Sequence, residues 1–213
     1  MEEKKATAEI LLILDKSGSM EGTESDTAGG FNSLIKKQKA KLKDAWVTTW
    51  LFNGKTEILY NRVPIQEIKP MKASDIVVGG STALYDAVGD AIGITDWTQK
   101  QLIPEEEVPD FTFVTIMTDG YENASDHYKY QEIRRLIEKK EADGWEFLFM
   151  GAGIDAENEA KKLAITHSYQ MEMYSAREAF CEIDRQINSA RENAERRKMT
   201  ERKSQRRLKG GIW

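Results

Sequence analysis

Residues 8–14 form an almost unbroken apolar run, from Ala8 through Ile10-Leu11-Leu12-Ile13 to Leu14. A short run of this kind, closed by Asp15, suits a strand buried on both faces, as in a parallel sheet with helices on each side. Residues 27–43 change period: Phe31, Leu34, Ile35 and Leu42 fall on one helical face, with Lys36, Lys37, Lys39 and Lys41 largely elsewhere. Residues 45–52 and 56–62 are strand-like runs joined by Asn53-Gly54. That dipeptide predicts an antiparallel hairpin, because both residues tolerate positive φ, and it places the third strand at an edge. Pro64 and Pro70 bracket an irregular segment.

Further along, Leu84, Ala87, Val88, Ala91, Ile92 and Thr95 repeat at helical spacing over about residues 83–100, with Ser81 or Thr82 placed near the N-cap. Pro104 to Pro109 is an acidic loop, and residues 111–118 are β-branched and aromatic, a second central strand. A helix over 126–142 turns Ile133, Leu136 and Ile137 inward. A strand follows from Trp145 to Met150, then a short helix over 155–164 and a last strand from Ser168 to Met173. The final helix starts near Ser175 and stacks Ala176, Ala179, Phe180, Ile183, Ile187, Ala190 and Ala194 on one stripe; from about residue 196 apolar partners vanish, leaving solvated helix or disorder. The alternation predicts an α/β fold: a doubly wound, Rossmann-like open sheet, mostly parallel with one antiparallel edge strand and helices on both faces.

Composition sharpens this reading in three ways. The chain has 213 residues, enough for one full hydrophobic core, and no Pro/Gly/Ser-rich linker divides it. Its single cysteine, Cys181, excludes an intramolecular disulfide and Cys-rich zinc sites. No apolar run is long enough to span a membrane, and the N-terminus lacks the pattern of a secretory signal, so a cytoplasmic protein is expected. Charge is divided: residues 191–213 hold nine basic and three acidic side chains, a net +6, while the whole chain is −5 and residues 1–190 are therefore −11. The acidic body is not expected to bind nucleic acid; such contact is open only to the tail, residues 196–213, whose alternative is a solvated helix end.

The candidate chemistry lies in Asp15-Lys16-Ser17-Gly18-Ser19-Met20, at the end of the first buried strand. One carboxylate and two hydroxyls alternate there, the oxygen donors that hard cations prefer. Ligands of open α/β sheets sit beyond the carboxyl ends of strands, where strand order reverses. Asp119 ends the other central strand, and Thr82 precedes a helix, so five oxygen-bearing side chains converge if the two strands are neighbours: Asp15, Ser17, Ser19, Thr82 and Asp119.

These segments carry a resemblance. Asp15 to Met20 is similar to the D-x-S-x-S motif of von Willebrand factor A-type domains. Gly79-Gly80-Ser81-Thr82-Ala83-Leu84-Tyr85-Asp86 looks like the loop bearing that family's metal-site threonine, and Ile116 to Gly120 like the strand end bearing its second aspartate. The pieces occur in the family's order, and the resemblance covers residues 6–190, with 191–213 a basic C-terminal extension, helical or disordered. It implies a metal-ion-dependent adhesion site for Mg²⁺, with Mn²⁺ or Ca²⁺ as substitutes. By that resemblance Ser17 and Ser19 ligate through hydroxyls, Thr82 ligates directly or through water, and Asp15 and Asp119 act mostly through water or the serines. A protein partner's Asp or Glu carboxylate then fills the open position. Such hydroxyl-rich coordination under-neutralises the ion and favours an external anion.

The expected function is thus a metal-dependent protein–protein interaction module and not an enzyme. Its rivals are a metal-dependent phosphoester hydrolase and a nucleic-acid-associated scaffold working through the tail. Glu122, Asn123 and Asp126, just past Asp119, are expected to shape partner choice. His127 and His167 have no zinc spacing and read as surface residues. Cys181 reads as a core residue on or beside the last apolar stripe. Gly151-Ala152-Gly153 reads as a strand-to-helix turn, not a phosphate loop. Gly210-Gly211-Ile212-Trp213 reads as a docking peptide, a fold-back segment or plain disorder.

Overall fold

A computed structural model describes residues 6–172 and 175–210, with side chains as far as Thr200. The terminal Ile212 and Trp213, and Met173 at the expected end of the last strand, lie outside the described residues. Among the described residues six strands form one sheet: β1 (Ala8–Asp15), β2 (Ala45–Phe52), β3 (Thr56–Pro64), β4 (Phe111–Thr118), β5 (Glu146–Ala152) and β6 (His167–Met171). Their order is β3-β2-β1-β4-β5-β6, all parallel except the antiparallel β3 at one edge.

The alternation of β1 shows why its run must be continuously apolar. Ala8, Ile10, Leu12 and Leu14 enter one core, and Leu11 and Ile13 the other. The first core is closed by α1 (Glu24–Lys41) and α5 (Ala176–Gly210); the second by α2 (Leu84–Gln101), α3 (Tyr130–Ala142) and α4 (Ala156–Lys162). Every apolar residue assigned to the α1 face is buried, as are Ala179, Phe180, Ile183, Ile187, Ala190 and Ala194 of α5. α5 continues without a break past residue 191, and Lys198 reaches Asp110 at the start of β4. Glu9, the second residue of β1, is buried against Arg62 Nε at 3.1 Å; Arg62 sits at a β-bulge with φ +48° and lies over the Trp46 ring. Among the described residues, no helix is long and apolar enough to cross a membrane.

Three expectations need correction, and a fourth needs detail. The β2–β3 connection is not a positive-φ turn: neither Asn53 nor Gly54 has φ above zero. Phe52 pairs with Thr56, so the loop has three residues, and the Asn53 side chain shapes it by accepting from Lys55 N at 3.0 Å. Thr82 does stand beside the N-cap of α2, Ala83, but no side chain caps from there; the loop after β4 supplies the acceptors. α3 begins at Tyr130, not 126, because the N–H groups of Asp126, His127 and Tyr128 all donate to the Asp86 carboxylate at 2.9–3.0 Å. Cys181 is exposed, with Lys37 Nζ 3.4 Å from its sulfur, so it lies beside the stripe and outside the core.

Candidate metal centre

β1 and β4 are neighbours in register, Leu14 opposite Met117, so Asp15 and Asp119 emerge side by side at the carboxyl edge where the chain order reverses. Three loops are stitched there by backbone bonds. Gly18 N donates to Gly80 O at 3.0 Å and Gly79 N to Lys16 O at 2.9 Å. Asn53 Nδ2 donates to Gly79 O at 2.6 Å, fixing the glycine pair from the β2–β3 turn. Gly79 and Gly80 have φ of +148° and +82°, conformations that exclude most side chains. Thr82 is tied to the third loop by two bonds with Asn123: Thr82 N to Oδ1 at 2.9 Å, and Asn123 N to Thr82 O at 3.0 Å.

Asp15, Ser17, Ser19 and Asp119 are joined by hydrogen bonds, and the Thr82 hydroxyl lies beside them at Gly120. Asp15 is 2% exposed; its Oδ1 accepts from Ser17 N at 2.6 Å and its Oδ2 from Thr118 Oγ1 at 2.5 Å. The Ser17 and Ser19 hydroxyls lie 3.2 Å apart, and Ser19 Oγ donates to Asp119 Oδ1 at 2.6 Å. Asp119 Oδ2 is buried and has no hydrogen-bond partner among the described residues. The Thr82 and Ser19 hydroxyls close around Gly120, where a Cβ would lie 3.1 Å from Thr82 Oγ1 and 3.8 Å from Ser19 Oγ.

The electrostatics are those of an unbalanced site. Burial pushes the Asp15 carboxyl up; the Thr118 and Ser17 donors pull it back, and the neighbouring Asp119 charge adds to the rise. Burial also raises Asp119 against the pull of the Ser19 hydroxyl. Two desolvated carboxylates, one with an orphan oxygen, lie among three hydroxyls, and among the described residues no cationic side chain is bonded to either. Lys16, the nearest lysine in sequence, turns away to Glu57 Oε2 at 2.6 Å. This donor set suits a hard divalent cation, whose charge would offset both desolvation and mutual repulsion. Among the described residues no three His, Cys, Asp or Glu side chains cluster as metal ligands.

The residues past Asp119 divide by role. Glu122 spends both oxygens internally, accepting from Tyr85 N, Ala124 N, Ser125 N and Ser125 Oγ at 2.7–2.9 Å. With Asn123 it organises the start of α2. Asp126 is exposed, and its backbone serves Asp86. Three supporting residues escaped the sequence reading. Thr118 reads only as a β-branched strand residue, yet its hydroxyl also accepts from Gly120 N at 3.1 Å. Asn53 reads as a turn residue, and Asp86 as one more polar position on a helix. Thr118 and Asp86 both stand in the segments that carry the resemblance, whereas Asn53 had no signal beyond the turn.

No family model matches the chain, and no curated protein matches it. Solved structures do. The vWF domain of the type V pili tip protein Mfa5 from Porphyromonas gingivalis aligns with a TM-score of 0.64 at 9% identity, over 87% of this chain and 96% of that one. The PilB minor pilin from Streptococcus sanguinis aligns at 0.62 and 12%, over 89% of this chain and 63% of the pilin. A von Willebrand factor type A protein from Catenulispora acidiphila aligns at 0.59 and 16%, over 84% of this chain and 42% of that one. The chain therefore spans under two thirds of the pilin and under half of the Catenulispora chain. At these identities the likeness is one of fold: that of a von Willebrand factor A domain.

Proposed function

We propose that this protein is a divalent-cation-dependent protein-interaction module, binding Mg²⁺ (or Mn²⁺ or Ca²⁺) through Ser17, Ser19, Thr82, Asp15 and Asp119, and through that ion an Asp or Glu of a protein partner. The observation that carries the reading is Asp119 Oδ2, buried without a partner beside a carboxylate-and-hydroxyl set. In this reading the three hydroxyls hold the ion, while Asp15 and Asp119 orient the serines and supply balancing charge. The bound ion would supply Lewis acidity toward an external carboxylate. Structural neighbours that include a pilus tip protein and a minor pilin are consistent with an interaction role.

A binding role is favoured over hydrolysis by how the nearby carboxylates are used. Glu122 accepts four donors and Asp86 three backbone N–H groups, so neither is free to act as a general base. Titration calorimetry with Mg²⁺ and Mn²⁺, paired with melting in EDTA, tests the reading. Binding heat and a higher melting temperature, both lost in Asp119→Ala, are expected. Absence of heat together with identical melting in Mg²⁺ and EDTA would overturn it.

A further inference from the structure

The β2–β3 hairpin braces two loops of the candidate metal centre. It meets the first at Lys16, whose N–H donates to Phe52 O at 2.7 Å and whose ammonium bonds Glu57 Oε2 of β3 at 2.6 Å. It meets the second at both ends: Asn53 Nδ2 donates to Gly79 O at 2.6 Å, and Ala83 N to Asn53 O at 2.8 Å. Between these two bonds the surfaces touch, for a Cβ on Gly54 would lie 2.8 Å from Ser81 Oγ and one on Gly80 3.5 Å from Asn53 Nδ2. Lys16 is the covalent neighbour of Asp15 and Ser17, and Ser81 and Ala83 flank Thr82. The hairpin therefore fixes the spacing between the loop of Ser17 and Ser19 and the loop of Thr82.

Most of this bracing is backbone to backbone and asks for no particular side chain. Asn53 is different. Both ends of its amide are used: Oδ1 accepts from Lys55 N at 3.0 Å and shapes the turn, while Nδ2 holds Gly79. An aspartate would lack the donor, and a serine would lack the reach. Gly79 and Gly80, at φ +148° and +82°, are freely jointed residues that lose the most entropy on being fixed. Among the described residues Asn53 supplies the only side-chain hydrogen bond to that pair.

We propose that Asn53 is a positioning residue of the metal centre. By pinning the glycine pair it holds Thr82 at the separation from Ser17 and Ser19 that a divalent ion requires, and so sets metal affinity from outside the ligand set. The inference rests on the metal-dependent reading above and extends that site to the edge hairpin. Groups that orient metal ligands without touching the ion typically contribute about 10- to 100-fold in affinity.

The test uses the full chain, titrated with MnCl₂ and MgCl₂ by calorimetry. Asn53→Ala removes both uses of the amide; Asn53→Ser keeps a hydroxyl for the turn without the reach to Gly79. Tyr60→Phe is the control, since it deletes a hydrogen bond of the same hairpin, Tyr60 Oη to Lys69 O at 2.8 Å, that touches neither metal loop. Both Asn53 variants are expected to raise the Mn²⁺ Kd by about 10- to 100-fold, and Tyr60→Phe to leave it unchanged. In EDTA, amide hydrogen exchange across residues 78–83 should be faster in the Asn53 variants than in the wild type or Tyr60→Phe, with melting temperatures as the folding check. An unchanged Kd in either folded Asn53 variant would overturn the positioning role and leave the metal reading standing. So would an equal loss of affinity in Tyr60→Phe, or a raised Kd with unaltered exchange across residues 78–83. Failure of the wild type to bind either ion would overturn both.

Discussion

Thr118 and Asp15 meet across the β1–β4 ladder, the threonine hydroxyl donating to Asp15 Oδ2 at 2.5 Å. This bond satisfies the deeper oxygen of a nearly inaccessible carboxylate and fixes the loop that follows it. Thr118→Val keeps the shape and removes the donor. It is expected to destabilise the fold by about 1–3 kcal/mol in chemical denaturation, the usual cost of an unsatisfied buried acceptor.

Asp119 presents the opposite case, a buried oxygen with nothing bonded to it. Without divalent ions, Asp119→Asn removes a desolvated charge and its repulsion with Asp15. It is therefore expected to melt at or above the wild-type temperature in EDTA. In Mg²⁺ the order should reverse. At a hundredfold excess over its dissociation constant a native-state ligand adds about 2.7 kcal/mol, a gain the variant forfeits. Thermal melting of both proteins in both buffers reads the crossover.

Asp86 controls where α3 begins. Burial raises its carboxyl, but the N–H groups of Asp126, Tyr128 and His127 outweigh this and hold it below the ordinary aspartate value. A depressed carboxyl contributes stability above its unfolded-state value, near 3.9, and loses it as pH falls through the lower folded-state value. Asp86→Asn should thus cost about 1–3 kcal/mol at pH 7. The gap to wild type should close as the medium is acidified below about pH 4, as followed by urea denaturation across that range.

Two adjacent glycines in α1 should respond with opposite signs. A Cβ on Gly30 would lie 2.2 Å from Phe180 Cδ2 of α5, whereas one on Gly29 would meet nothing within 4 Å. Gly30→Ala is expected to destabilise by about 1–3 kcal/mol through overpacking. Gly29→Ala should stabilise by about 0.5–1 kcal/mol through helix propensity. Denaturant midpoints of the two variants check both.

Cys181 offers a quick test of how α5 sits. Being exposed, it should react fully with a thiol reagent in the native protein, without loss of melting temperature. Protection until unfolding would mean that the helix is rotated to bury it.

The sequence by itself determined the sheet class, the strand set and the two central strands. Continuous apolar runs and helical stripes report burial on two faces, and burial is what the sheet enforces. Asp15, Ser17 and Ser19 were legible for the same reason: a strand end followed by alternating oxygens is a local pattern. What only tertiary structure decided were relationships between segments far apart in the chain. Asn53 reads as a hairpin residue, but its side chain is drawn to Gly79 across the site, and the turn takes another form. Ser81 or Thr82 reads as lying near the N-cap of α2, as Thr82 does, but the acceptors for its first N–H groups come from Glu122 and Ser125 on another loop. Cys181 falls beside an apolar stripe, and the rotation of one helix puts it outside. Hydrogen-bond partners are chosen by proximity in space, and a linear pattern carries no record of that choice. The pairing of Asp15 with Thr118, and the orphan oxygen of Asp119, arise only when β1 and β4 lie side by side.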